Sequence, residues 1–376
     1  MRTGGASAVL FGIGGAWWAT TGPARTAREP WSAAAEGFGD RRLDVLAYAI
    51  LAPNPHKMQP WRIGLGDGNR FTVYSDTDRL LPETDPPNRQ ITIGFGCFLE
   101  LCRQAAAEVG LRADMTYFPD GEPQPVLDGR PVAVVDLVED ADIKPDPLFT
   151  SALARRTNRL AFDTSRAVAE SVLAEVRAAG VDGVDVHTSA DEAFVGTIRQ
   201  LTVDAWDVEW SLDRTRRESI AVTRVGKSAV DARPYGISID DRLSSTLGKL
   251  GMMSPEAMDD PEAAAYKESF KFYERACRSA MAYVWSTTPA NTRQAQIEAG
   301  RAWVRTQLAA NALGLSFHPL SQALQEFPEM AEHYARAHEL LSENEGDTVQ
   351  MLARLGYAPA IGPAPRFALE SRILVG

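Results

Sequence analysis

The chain has few cysteines, few histidines, no concentrated positive charge and no apolar run of membrane-spanning length, and each shortage removes a class of function. Its three cysteines, Cys97, Cys102 and Cys277, form an odd number without metal-type spacing, so neither a zinc cluster nor a complete disulfide framework is expected. Cys97 and Cys102 lie five apart in a helical pattern and read as small buried residues rather than a redox pair. The five histidines supply no ligand pair: His333 and His338 are five apart, where a helical metal pair needs three or four. With 39 Lys and Arg against 50 Asp and Glu the formal charge is −11. No basic run interleaved with aromatics offers a nucleic acid the clustered positive field it requires. No Gly-x-Gly-x-x-Gly fingerprint marks a dinucleotide fold, and no direct internal repeat is evident.

What is present describes a globular protein. Hydrophobic residues make up 45% and charged residues 24% of 376 positions, enough chain for two domains or one large one with a well-buried core. The first 28 residues differ: there is no acid before Glu29, and small residues surround the weakly apolar stretch Ala8–Trp18. Arg2 precedes this stretch, and Arg25 and Arg28 follow it, a layout like a secretory signal. Its modest hydrophobicity and its glycines resemble a twin-arginine export signal more than an anchor, although the twin arginines are missing. Residues 1–38 are therefore read as a leader, periplasmic if it is a signal and cytoplasmic otherwise.

Periodicity gives helices flanking a sheet, an α+β or α/β chain, and α+β is the class the resemblance below implies. Leu43, Leu46, Ala47, Ile50 and Leu51 mark an amphipathic helix that Pro53 and Pro55 stop. A second helix carries Phe95, Phe98, Leu99, Cys102, Ala106 and Val109, with Gly110 placed to end it. Phe71–Tyr74, the alternating Leu111–Tyr117 and the apolar Val132–Val138 read as strands, the last a central one. Acidic, proline-bearing Asp140–Pro147 suits a boundary between a first lobe (39–145) and a second (146–376). Beyond it the pattern predicts a helix over Ala167–Ala179, strands at Val184–His187 and Tyr283–Ser286, and helices over Gln294–Leu313 and Glu329–Leu341. Residues 214–261 are rich in breakers and suit a lid.

Four segments carry candidate chemistry. Ala52-Pro-Asn-Pro-His-Lys-Met-Gln-Pro-Trp61 is a helix broken by prolines into a rigid polar loop, suited to holding a planar polar ligand, or equally to a capped turn. Ala154-Arg-Arg-Thr-Asn-Arg159 sets three guanidinium groups and a hydroxyl within five residues, either an anion site or a solvated basic face. Gly314-Leu-Ser-Phe-His-Pro-Leu-Ser-Gln322 follows a long helix and offers backbone N–H groups near Leu320–Gln322, or is an ordinary connection. Pro365-Arg366 is uninformative alone.

Together these four segments resemble the FMN-dependent nitroreductase family. The first is similar to its Pro-Ser-x-x-Asn-x-Gln-Pro-Trp loop, and the second to the Arg-x-Ser-x-Arg/Lys segment that grips the FMN phosphate and ribityl chain. The third resembles the loop whose N–H approaches flavin N5, and the fourth the C-terminal Pro-Arg of the phosphate site. Thr84–Gly94, Arg217-Glu-Ser, Ala299–Trp303 and Arg354–Tyr357 bring the resemblance closest to a fused, Acg-like branch whose members often carry twin-arginine leaders. It implies two lobes in one chain forming an intramolecular pseudo-dimer, a monomer with one FMN held between them. The implied cofactor contacts are Asn54, His56, Lys57, Gln59, Arg155, Arg156, Thr157, Arg159, Pro319, Leu320, Ser321 and Arg366. No catalytic side chain is singled out. The implied activity passes two electrons from a nicotinamide donor to a small oxidised substrate such as a quinone or nitro compound; the alternative is a flavin-binding or flavin-storing protein without turnover. Arg41-Arg42 lacks the hydroxyl and third arginine for a second grip, so the equivalent site is expected to be dead. Lys57 departs from the family's usual Asn, an amide replaced by a charged donor that either faces the flavin or swings into solvent. Tyr235 in the lid either covers the ring or is a surface aromatic.

Overall fold

Two runs of the chain build the same object. The computed structural model describes residues 22–374; the apolar part of the leader lies outside the described residues. After α1 (Glu29–Glu36), the first run comprises α2 (Arg41–Ala49), β1 (Trp61–Leu65), β2 (Arg70–Ser75), α3 (Arg89–Glu108), β3 (Leu111–Tyr117) and β4 (Pro131–Glu139). The second opens with α4 (Glu170–Arg177) and β5 (Asp185–Ser189). An insertion follows: α5 (Glu192–Ser211), α6 (Asp213–Ala221), β6 (Thr223–Val225), α7 (Lys227–Ala232), β7 (Ile237–Ile239), α8 (Arg242–Lys249), α9 (Pro255–Asp259) and α10 (Ala264–Arg278). Then come β8 (Ala282–Thr288), α11 (Arg293–Ala312), β9 (Ser316–Pro319), α12 (Ala331–Leu341) and β10 (Thr348–Gly356). The strands pair antiparallel as β1-β2-β4-β3 and β5-β8-β10-β9, the same order when counted within each run. Inserted strands β6 and β7 pair parallel with each other. Among the described residues no helix is long and apolar enough to cross a membrane.

Local chemistry sets these elements. The Asp40 carboxylate accepts from Arg42 N–H at the start of α2, satisfying one of the donors a helix start leaves over. Val45, Leu46, Ala49 and Ile50 bury one face of it. Thr292 caps α11 through Ala295 N–H. The 20-residue helices α3 and α11 are each followed by a glycine at positive φ, Gly110 (70°) and Gly314 (75°), the conformation that ends a helix cheaply.

These two helices cross at glycines. A Cβ on Gly96 would be driven into the carbonyl of Ile297, and one on Gly300 into the carbonyl of Ile93. The contact is reciprocal, and the sequence around it repeats: Arg89-Gln-x-x-Ile-x-x-Gly96 and Arg293-Gln-x-x-Ile-x-x-Gly300. The expectation of no internal repeat is thereby corrected. Four identities in eight residues are too sparse to stand out until the pairing of the helices aligns them. The two fully buried arginines of this repeat clasp opposite halves. Arg89 donates to the carbonyl of Gln350 at 2.6 Å and to that of Leu324. Arg293 donates to the carbonyls of Pro87 (2.7 Å), Pro125 (2.8 Å) and Pro123 (3.1 Å). A single apolar core runs through both halves, from Val45 and Phe98 to Trp303 and Leu355.

Other boundaries shift. Residues 22–38, read as part of the leader, belong to the folded body: Pro30 opens α1, and Trp31 is buried with its indole N–H on the Ala364 carbonyl at 2.8 Å. The helix expected over Ala167–Ala179 starts at Glu170 because Ala169 is extended. The second helix starts six residues before Phe95, at Arg89. The segment Arg155–Arg159 is not at a helix boundary: a 3-10 turn ends at Ser151 and the chain runs on beside β9, where Asn158 N–H meets the Phe317 carbonyl. Cys97, Cys102 and Cys277 are all buried and unbridged.

Candidate functional site

The segment after α2 is bent hard. His56, Lys57 and Gln59 all have positive φ (45°, 57° and 52°) without being glycine, a conformation that costs free energy and persists only where the surroundings dictate it. The Asn54 carboxamide supplies one constraint: its Oδ1 accepts from Gln59 N–H at 2.7 Å and its Nδ2 donates to the Ala52 carbonyl. Gln59, fully buried, donates to the Pro234 carbonyl at 2.8 Å and accepts from Phe367 N–H at 2.9 Å. These two amides hold the loop, the lid and the C-terminal segment together.

The insertion closes over this loop. Gly236 N–H donates to the Lys57 carbonyl at 3.1 Å. Lys57 Nζ donates to Ser238 Oγ at 2.6 Å, and His56 Nε2 lies 2.9 Å from Ser219 Oγ. Lys57 is buried, not swung into solvent. Tyr235 does not stand free over the loop. It stacks on Phe367 (5.7 Å between ring centres) with the Arg79 guanidinium 4.2 Å above it.

Around the loop stand cations that form no ion pair among the described residues. Arg155 and Arg366, both buried, donate to the same carbonyl, Leu51, at 2.8 and 2.9 Å; Arg366 also reaches Ala52. Each keeps a buried Nε without a hydrogen-bond partner. Thr157 Oγ1 accepts from Gln307 Nε2, and Gln307 Oε1 accepts from Arg155. Trp31 lies over the guanidinium groups of Arg155, Arg156 and Arg366, 4.9–5.7 Å from its ring centre. Arg159 adds its field to His56, Lys57, Tyr273 and His318. Among the described residues none of Lys57, Arg155, Arg156, Arg159 or Arg366 forms an ion pair. The result is visible in their proton affinities. Burial, with Arg159, Arg366 and Arg28 nearby, holds Lys57 well below the usual lysine range. Burial and Arg159 push His56 down to about 4, and burial brings Arg155 down to about 10. A buried charge left unpaired is costly, so the buried Arg155 and Arg366, with the half-buried Arg156 and Arg159, suit a multiply charged anion.

The equivalent position in the other half shows what compensation looks like. Leu51 is the second residue past α2, and Ala179 the second residue past α4. Ala179 likewise presents its carbonyl to an arginine, Arg305, at 3.0 Å. There, however, the fully buried Glu100 carboxylate takes Arg103 (2.6 Å), Arg305 (2.9 Å) and Arg301 (3.2 Å), while Asp146 takes Arg103 (2.7 Å) and Arg305. The protein's own carboxylates fill that position. The expected absence of a second grip at Arg41-Arg42 rests on different residues: those two arginines pair with Glu139 and Asp40.

The third segment reaches the cleft less fully than its sequence suggests. Leu320 N–H is taken by the Leu352 carbonyl at 2.9 Å, which extends β9. Pro319 and Ser321 are half-buried, and the Ser321 carbonyl faces Gln90 Nε2 at 3.5 Å. Sequence reasoning missed Trp31, Gln307, Tyr273 and the buried acid Glu209, and it named Ser219 only within Arg217-Glu-Ser, without a role. Trp31 lay within the supposed leader, and the others sit in helices whose periodicity announces only packing.

No family model matches the chain. It is 27% identical over 340 residues to a Mycobacterium tuberculosis protein provisionally named NAD(P)H nitroreductase Rv3131, covering 87% of this chain and 89% of the relative. A shorter match, 31% over 115 residues, covers 30% of this chain and 33% of the M. tuberculosis protein provisionally named NAD(P)H nitroreductase acg. Among solved structures, a protein from Anabaena variabilis provisionally described as a nitroreductase aligns with a TM-score of 0.45 at 12% identity, covering 88% of this chain and 91% of that one. The FMN-dependent nitroreductase NfnB from Mycobacterium smegmatis, solved in complex with NADPH, aligns with a TM-score of 0.35 at 17% identity, covering 58% of this chain and 92% of that one.

Proposed function

We propose, with kinship to the nitroreductases as the premise, that this chain is an FMN-dependent oxidoreductase that carries two electrons from a nicotinamide to a small oxidised acceptor such as a quinone or nitro compound. The observation that carries the reading is the cluster of four arginines, Arg155, Arg156, Arg159 and Arg366, that form no ion pair among the described residues, beside a strained loop. It suits FMN, which joins a doubly charged phosphate to a planar polar ring. Arg155, Arg156, Arg366 and Thr157 would hold the phosphate end. Arg159, Lys57, His56 and the rim at Pro319–Ser321 would border the ring. When bound, FMN supplies the two-electron chemistry, and the protein sets its orientation and potential. Positive charge from Arg159 favours the electron-rich state of whatever lies against it. The two runs, each a sheet with one long helix, act in this reading as an intramolecular pseudo-dimer with a single working site.

A second reading, a flavin store without turnover, is favoured by one observation. The lid is fastened to the loop through Gly236, Pro234, Ser238 and Ser219, which restricts entry of a nicotinamide. An anaerobic mixing experiment separates the two. Added NADPH or NADH is expected to bleach the bound flavin, and a quinone or nitroaromatic to restore its colour. Bleaching by dithionite alone would favour the store, and deleting residues 214–261 would then restore reduction by nicotinamide if the lid is the barrier.

A further inference from the structure

We propose that residues Ala24–Trp31 form a clasp over the phosphate end of the cleft, and that Arg28 is its fastener, setting how fast FMN enters and leaves. The identity of the cargo rests on the oxidoreductase reading; the clasp does not.

Three parts of the chain meet here: the N-terminal segment itself, the lid, and the C-terminal arm that carries Arg366. On the lid side, Ala24 N–H donates to Asp240 Oδ2 at 2.7 Å and Ala27 N–H to Asp231 Oδ1 at 3.0 Å. Ala24 and Ala27 are also buried against Val230 of α7. On the arm side, the Ala27 carbonyl accepts from Arg366 N–H at 2.7 Å, and the Trp31 indole donates to the Ala364 carbonyl at 2.8 Å. The Trp31 ring then lies over Arg155, Arg156 and Arg366. The segment thus bridges lid and arm across the cations assigned to the phosphate. Ser238, two residues before Asp240, takes Lys57 Nζ, so the lid edge pinned at Asp240 is the edge that covers the strained loop.

Arg28 joins all three parts. Its Nε donates to the Pro363 carbonyl of the arm at 2.7 Å and its Nη1 to the Ala24 carbonyl at 2.6 Å. Asp240 receives the fork, Nη1 at 2.7 Å and Nη2 at 3.0 Å. Both side chains of this ion pair are sheltered, 18% and 10% exposed. Four of the five guanidinium N–H groups are therefore spent on the protein, and the charge is met by a carboxylate. Arg155 and Arg366 are the opposite: each keeps a buried Nε without a partner, and neither forms an ion pair among the described residues. Arg28 is built to fasten, and those two to receive an anion.

The difference has a kinetic signature. The bonds of Arg28 go to protein groups alone and are the same with or without the cofactor, so they cancel from its affinity. They are broken only while the clasp is open, which raises the barrier to entry and to exit equally. A residue of the grip adds bonds to the bound state instead, and mainly slows release.

Stopped-flow quenching of FMN fluorescence gives both rates. Arg28→Ala and Asp240→Asn should each take up and release FMN roughly ten-fold faster or more, with Kd within about two-fold of wild type. Arg28→Lys, which keeps the charge but not the fork, should lie between. Wild-type rates in both variants overturn the proposal. So do unequal changes: faster release with unchanged uptake would make Arg28 part of the phosphate grip. If Arg28→Ala does not fold, Asp240→Asn, nearly identical in shape, carries the same test. In the FMN-free protein, hydrogen exchange at the amides of Ala24, Ala27 and Arg366 should speed up together in Arg28→Ala, while the amides of α11 keep wild-type protection. Unchanged or independent exchange at those three amides overturns the clasp. A wild-type protein that takes up no FMN would instead overturn the function proposed above and leave the exchange test intact.

Discussion

At the scale of single residues, the cleft is defined by charge that the protein leaves unbalanced. Arg155 and Arg366 share the Leu51 carbonyl yet keep a buried Nε apiece without a partner. Charge-assisted hydrogen bonds are worth about 1.5–3 kcal/mol. Arg155→Ala or Arg366→Ala should therefore weaken FMN by about ten-fold or more. Riboflavin, without the phosphate, should lose little; equal losses for both ligands would assign these arginines to holding the loop. Lys57 gives a pH-dependent counterpart. Its folded pKa lies below the ordinary 10.5, so below that value the unfolded chain binds the proton more readily and Lys57 costs stability. The cost grows as pH falls from 10.5 and vanishes above it. In the FMN-free protein Lys57→Met should melt above wild type at pH 7, and the difference should narrow as pH approaches 10.5. A constant difference would mean that the lysine is charged in the folded state. The sequence showed the residue types, arginines and a hydroxyl at short spacing, which suit an anion site or a solvated basic face alike. What was not legible is that Asn54 and Gln59 spend their amides on the protein itself, because a sequence does not say which way an amide points.

At the scale of elements, most helices and strands could be read from period and punctuation, and the errors have causes. The α1 helix escaped because Glu29-Pro-Trp31 follows a small-residue leader and only tertiary contact with Ala364 and three arginines gives Trp31 its place. The α3 helix begins six residues before Phe95, the first residue read as marking it, because its first turn opens on polar Arg89 and Gln90, although Arg89 is 1% exposed. The glycines at the crossing of α3 and α11 were legible only as weak points in two helices. Their purpose is approach: each leaves room for a backbone carbonyl of the other helix. Gly96→Ala or Gly300→Ala should destabilise by at least about 1–3 kcal/mol, the usual cost of overpacking, although alanine is the better helix former. Chemical denaturation measures this; a neutral or stabilised variant would show that the helices separate without loss.

At the scale of the whole molecule, two equivalent positions have had opposite fates. The cations beside Leu51 form no ion pair among the described residues, whereas those beside Ala179 are neutralised by Glu100 and Asp146. Released flavin measured against protein should accordingly give about one FMN per chain; two per chain would mean that the carboxylates yield to phosphate. Glu100→Ala should cost about 3–5 kcal/mol, as expected when a buried ion network loses its centre, and thermal melting reads that loss. The reciprocal crossing that relates the two positions has a further consequence, in the time over which the chain is made. From Arg89 to Arg293 is 293 − 89 = 204 residues, which a ribosome adds in roughly 10–40 s at about 5–20 residues per second. For that interval α3 has its sheet beneath it and no partner across its glycine face, so a nascent chain halted before α11 leaves a long apolar surface open to holdases and to aggregation.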